Sequence, residues 1–216
     1  MFRLVIDLPI RKIITVLVIL VASLLVTHIA LQVWHFRVGH VPTTIREFFD
    51  VDLERNIPTW FSTILLFIAG MLLLLIANRK HISNGQWIRA WYGLAFGFFF
   101  LSLDEIAGFH ETLNHFTAFS WVYAAAPVAL IIIVLYLRFL FHLPAQIRNL
   151  FILSAAIFLS GALGVEVATD IYDEKDLMDT LAYNLWTPVE EGMEMGGVIL
   201  FIYALLRYNA DNGQSI

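Results

Sequence analysis

Six stretches of this chain are each long and apolar enough to cross ~30 Å of hydrocarbon. They are Ile13–Phe36, Pro58–Asn78, Trp87–Leu113, Trp121–His142, Ala145–Asp170 and Leu181–Arg207. No other feature constrains the fold as strongly. A backbone in lipid has no water to bond to, so each stretch must satisfy its own N–H and C=O groups as a helix. The predicted architecture is therefore all-α, a polytopic bundle of six transmembrane helices. Of the 216 residues, 60% are hydrophobic, more than a soluble domain of this size carries. The connections are too short for a second domain, so residues 1–216 read as one integral membrane domain.

Lys and Arg set the expected orientation. When the six spans are threaded alternately, Arg3, Arg11, Lys12, Arg79, Lys80, Arg89, Arg138, Arg148 and Arg207 share the N-terminal side. Only Arg37, Arg46, Arg55 and Lys175 fall on the other. Nine against four predicts that both termini are cytoplasmic. In a bacterial inner membrane the opposite face is periplasmic. Trp34, Trp60 and Trp121 at the outer ends of their spans, with Trp87 and Trp91 at the inner end of the third, fit interfacial belts. The first span is too long for a signal-peptide core and reads as a retained anchor. Cysteine is absent, which excludes disulfides, thiol catalysis and iron–sulfur ligation.

The longest outer connection holds a short helix signal. Thr44 and Glu47 have capping-box spacing, and Ile45, Phe48, Phe49 and Leu53 recur at helical intervals. The pattern predicts an amphipathic helix on the outer leaflet, either a connector or a lid. Gly93 with Gly97 and Gly192 with Gly196 are spaced for close helix approach. Pro188 removes a donor from the sixth span and frees the carbonyl of Asn184.

The second strong signal is acidic. Sixteen of the eighteen Asp and Glu residues lie on the outer side, and eight of them sit inside the spans. Carboxylates in hydrocarbon are costly unless paired, protonated or metal-bound, so by default they mark function. At ~1.5 Å per residue, Asp104 lies about 25 Å above Trp87, and Glu190 and Glu194 lie about 25 and 20 Å above Arg207. Glu166 comes to about 31 Å above Ala145, which places all of these acids in one layer of the outer half. Successive residues turn by ~100°, which gives each helix a polar stripe: Asp104, Glu111 and His115; Glu166 and Asp170; Glu190, Glu191 and Glu194. Of the neighbours Asp104 and Glu105, Asp104 is expected inward because Glu111 shares its stripe. His28 and His110 are further candidates, although a lone histidine such as His28 is more often a hydrogen-bonded packing residue than a ligand.

Carboxylates and imidazoles on several inward helix faces are the material of carboxylate-bridged metal centres. The pattern resembles ferritin-like di-iron proteins in ligand type and inward facing, and departs from them in spacing: Glu111 and His115 are four apart, and Glu191-Gly192-Met193-Glu194 carries no histidine. Alkaline ceramidase-like zinc hydrolases are a second comparison, but no His-x-x-x-His pair supports it. Oxygen and nitrogen ligands favour iron, with zinc or manganese as alternatives. The expected ligand pool is Asp104, His110, Glu111, His115, Glu166, Asp170, Glu190, Glu191, Glu194 and His28.

The expected function is a membrane-embedded, metal-dependent enzyme, di-iron in its first form, acting on a lipid-like or quinone-like substrate. A zinc-dependent hydrolase, a cation transporter and an accessory subunit of a larger membrane assembly are the alternatives. Expected partners are membrane lipids, a hydrophobic small molecule and further membrane subunits; nucleic acid is not among them.

Overall fold

The computed structural model describes residues 9–109 and 120–211. Every regular element among them is helical: α1 (Ile10–Arg37), α2 (Thr43–Phe49), α3 (Ile57–Ile82), α4 (Ile88–Ala107), α5 (Val122–His142), α6 (Ala145–Leu159), a π-helical turn (Ser160–Val165), α7 (Glu166–Glu174) and α8 (Tyr183–Asp211). Five helical stretches are long and apolar enough to cross a membrane: α1, α3, α4, α5 and the continuous run Ala145–Tyr172. These are the helices of an integral membrane protein. The long α8 misses the same standard because Glu190, Glu191, Glu194 and Arg207 lower its hydropathy.

That deficit matches its position. Helix α8 is the one the others surround, and from Met195 to Asn209 it is buried on nearly every side. A helix shielded by protein does not need the hydropathy of one facing lipid. By contrast α5 buries only Val122 and Phe139. Close approach to α8 comes from Gly161 and Gly197. A Cβ on Gly161 would stand 2.8 Å from the Glu190 carbonyl oxygen, and one on Gly197 would stand 2.9 Å from the backbone nitrogen of Phe158. The Ser154 hydroxyl adds a 2.7 Å hydrogen bond to the Gly197 carbonyl. The four-spaced glycine pairs behave differently. Gly93 abuts the Tyr136 hydroxyl and Gly192 meets Leu25, but Gly97 and Gly196 face open space.

One half of the bundle is closed by aromatic side chains. Trp91 meets Phe139 and Tyr208 at ring separations of 5.0 Å each, Phe151 packs on Phe201 at 4.6 Å, and Phe98 stacks on Phe201 at 4.7 Å. Leu65, Leu73, Ile202 and Leu205 fill the space between helices.

Two helix ends are set by local backbone chemistry, and one predicted cap is corrected. Helix α4 ends at Ala107, because Gly108 takes a left-handed conformation (φ 61°) and its N–H returns to the Asp104 carbonyl; the remainder of the span expected to reach Leu113 lies, from residue 110 on, outside the described residues. A side chain at Gly108 would strike the Glu54 carboxylate. Helix α2 begins one residue before the expected cap, with Pro42 at its N-cap position and no side-chain capping bond, so the Thr44–Glu47 capping box does not form. Asn56 starts α3 instead. Its side-chain oxygen accepts from Thr59 N–H, Pro58 follows in the first turn, and its amide donates to the carbonyls of Glu47 and Asp50.

Candidate functional site

The segments flanking α2 do not simply lie on the surface: Val41 before it and Asp50 and Val51 after it are buried. The segment after α2 is fastened by His28, which is 1% exposed. The His28 Nε2 lies 3.0 Å from the Asn184 carbonyl oxygen and its Nδ1 3.2 Å from Val51 N–H. Both contacts are satisfied by the neutral tautomer with the proton on Nε2. The Asn184 carbonyl is the one freed by Pro188, so imidazole supplies the donor that proline removed. Asp50 lies 3.3 Å from Nδ1 and accepts from the Gln32 amide at 3.0 Å. With both ring nitrogens engaged, His28 acts here as a clasp between α1, α8 and the segment after α2.

This clasp brings Asp52 over the end of the bundle, where it accepts a 2.9 Å hydrogen bond from the Tyr183 hydroxyl. Beneath it the acidic helix faces meet. Glu190 of α8 is hydrogen-bonded, side chain to side chain, with Glu166 of α7, and the charges of Glu194 and Asp52 act on it. The charges of Glu194, Glu105, Glu190 and Asp52 act on Glu191. The Trp121 indole N–H donates to Glu166 at 3.3 Å. All of the span carboxylates described are half-buried. Two carboxyls in a hydrogen bond must share a proton or a cation, because two anions repel at that distance.

The π-helical turn aims Glu166. The inward face of α6 runs Ile147, Phe151, Ser154, Phe158, Gly161 at alternating spacings of four and three. An unbroken α-helix would continue that face at Val165. The turn absorbs one extra residue, so Glu166 and then the buried Thr169 take the inward positions.

Of the expected ligands, the structure brings Glu166, Glu190, Glu191 and Glu194 together. Asp104 and Asp170 are half-buried, but neither is among the carboxylates acting on Glu190 or Glu191. On α4 the charge of Glu105 also acts on Glu191, so Glu105 stands near the cluster as well as the expected Asp104. The signal was available: Trp91, Ala95, Phe98, Ser102 and Glu105 form one helical stripe, and its first members are buried or packed in the core. His110, Glu111 and His115 lie outside the described residues. Asp52 was missed because it reaches the site from a connecting segment, where no helical stripe announces it, and Tyr183 because it stands at the first residue of α8 and its hydroxyl finds Asp52 only through the fold. Among the described residues, no three acidic or histidine side chains are grouped closely enough to hold a metal ion as they stand.

Residues 13–208 match the family DUF8692, a domain of unknown function, and the chain belongs to that family. No curated protein and no solved structure matches it.

Proposed function

We propose that this DUF8692 protein is a six-span membrane protein that takes a divalent metal ion into the acidic pocket and uses it on a lipid-like or quinone-like substrate. In this reading α8 is the sixth span, both termini are cytoplasmic, and the pocket faces the periplasmic side of a bacterial inner membrane. The short helix α2, with Ile45 and Phe48 exposed, then lies at the outer leaflet.

The observation that carries the reading is the Glu190–Glu166 contact between facing helices, with Glu194 and Asp52 beside it. A cation that replaces the shared proton neutralises several carboxylates at once, which is what their burial requires. The ligand set we propose is Glu166, Glu190 and Glu194. Glu111 and His115, expected as ligands from the sequence, lie outside the described residues. Iron suits these oxygen and nitrogen donors and would supply oxidative chemistry. Zinc would instead activate a water for hydrolysis, with a spare carboxylate as base.

Transport through the bundle is the weaker reading, because the rings of Trp91, Phe139, Phe151, Phe201 and Tyr208 occupy the other half of the bundle. A docking role for the acidic face alone leaves the inward-facing Glu166–Glu190 contact without a purpose.

The test is elemental analysis of the detergent-purified protein, prepared without chelator, beside Glu190→Ala and Glu194→Ala. Stoichiometric iron or zinc in the wild type, lost in both variants, is the expected result. A metal-free wild type overturns the reading and leaves a proton-sharing carboxyl pair. If iron is present, oxygen-dependent absorbance changes distinguish oxidative chemistry from hydrolysis.

A further inference from the structure

The opposite end of the bundle carries a separate feature that is independent of the metal reading. Between the first turns of α6 and the last turns of α8 lies a groove of about 320 Å³. Ile147, Leu150 and Leu153 form its apolar wall. Its polar lining is Gln146 and Asn149 on α6 and Arg207, beside Tyr203, on α8. Arg207 donates from Nη1 to the Tyr203 hydroxyl at 3.4 Å and pairs with Asp211 at 3.8 Å. Both contacts are long, and a guanidinium has five N–H donors. Most of its capacity remains for a ligand.

We propose that this groove holds the headgroup of an anionic glycerophospholipid from the leaflet at this end. The phosphate lies on Arg207, whose planar fork matches a phosphate's oxygens. The carboxamides of Gln146 and Asn149 donate to the remaining headgroup oxygens, and an acyl chain runs along Ile147, Leu150 and Leu153. Charge complementarity selects the occupant. Nine of the thirteen Lys and Arg residues belong to this side when the spans are threaded alternately, and basic pockets between spans on that side suit anionic headgroups. The apolar wall argues for a lipid over a free phosphate, which would leave that wall against water. The volume is at the small end of ligand-sized cavities. It has room for a headgroup and the start of a chain, with the rest of the lipid remaining in the bilayer.

The experiment follows thermal unfolding of the detergent-solubilised full chain during titration with phosphatidylglycerol, with phosphatidylcholine of the same chains, and with inorganic phosphate. Phosphatidylglycerol is expected to raise the midpoint in a saturable way, and the other two are not. Arg207→Gln should weaken the apparent affinity roughly ten-fold, the loss expected for one charge-assisted contact. Asp211→Asn, which releases Arg207 from its ion pair and removes a nearby negative charge, should tighten it at low salt. Equal stabilisation by phosphatidylcholine or by phosphate overturns the proposal. So does an Arg207→Gln protein that responds like the wild type, or an Asp211→Asn protein with unchanged or weakened affinity. Metal content plays no part in this readout.

Discussion

His28 and Pro188 are 160 positions apart, yet each explains the other. Proline leaves the Asn184 carbonyl without its helical donor, and His28 Nε2 supplies one at 3.0 Å. Truncating His28 orphans that carbonyl and the Val51 N–H together, at about 1–3 kcal/mol for each buried group. His28→Ala should therefore lower the unfolding midpoint strongly. In a Pro188→Ala background, where residue 188 can donate to Asn184 within the helix, the same truncation should cost less. A double-mutant cycle in thermal unfolding measures that coupling, and additive effects would refute the linkage. At the acidic end, Glu105 and Asp104 separate the two expectations for α4. Glu105→Gln should reduce metal stoichiometry while Asp104→Asn leaves it intact; the reverse result would favour Asp104.

At the scale of elements, the approach of the Ala145–Tyr172 run to α8 depends on hydrogen atoms where other residues carry methyl groups. Gly161→Ala would put a Cβ 2.8 Å from the Glu190 carbonyl and 3.0 Å from the Met193 Cβ. The two helices must then separate where Glu166 and Glu190 meet. A cost of about 1–3 kcal/mol is expected, as for overpacking generally. Gly196→Ala, which meets nothing within 4 Å, should be neutral or slightly stabilising through helix propensity. Parallel thermal melts of the two variants check this, and equal effects would show that packing at Gly161 is not tight. The capping box fails at this scale as well. Asn56 holds the turn before α3 through the carbonyls of Glu47 and Asp50, and α2 starts from Pro42 without help from Thr44.

For the whole molecule, the two ends have different tasks. The aromatic layer around Trp91 closes one half, and the carboxylates occupy the other. Trp91→Ala should destabilise the bundle by about 3 kcal/mol through the cavity it leaves, with metal content per folded protein unchanged. Chelation should do the converse. Under the proposed function, EDTA lowers the midpoint of the wild type, since a ligand held only by the folded state stabilises it. It should leave Glu190→Ala unaffected. A wild-type midpoint insensitive to EDTA and to added iron or zinc would count against the metal.

The amino-acid sequence by itself determined the helical membrane character, because ~20-residue apolar runs have no other way to satisfy their backbone in lipid. It also determined that the acids gather at one end and that Asn184 would need a donor. Both follow from residue spacing along single helices. Which acids meet was decided only by tertiary packing. Glu166 turns inward through a π-helical residue that no periodicity displays, because a bulge breaks the period used to read a helix. Glu105 comes near Glu191 because α4 orients by its buried Trp91–Ser102 face, and only packing shows which face of a helix is buried. Asp52 arrives from a connecting segment, whose path is set by the contacts it finds, and meets Tyr183 at the start of α8. His28 became a clasp because a freed carbonyl and a buried N–H stood within reach of its two nitrogens, and only the folded chain brings those groups together.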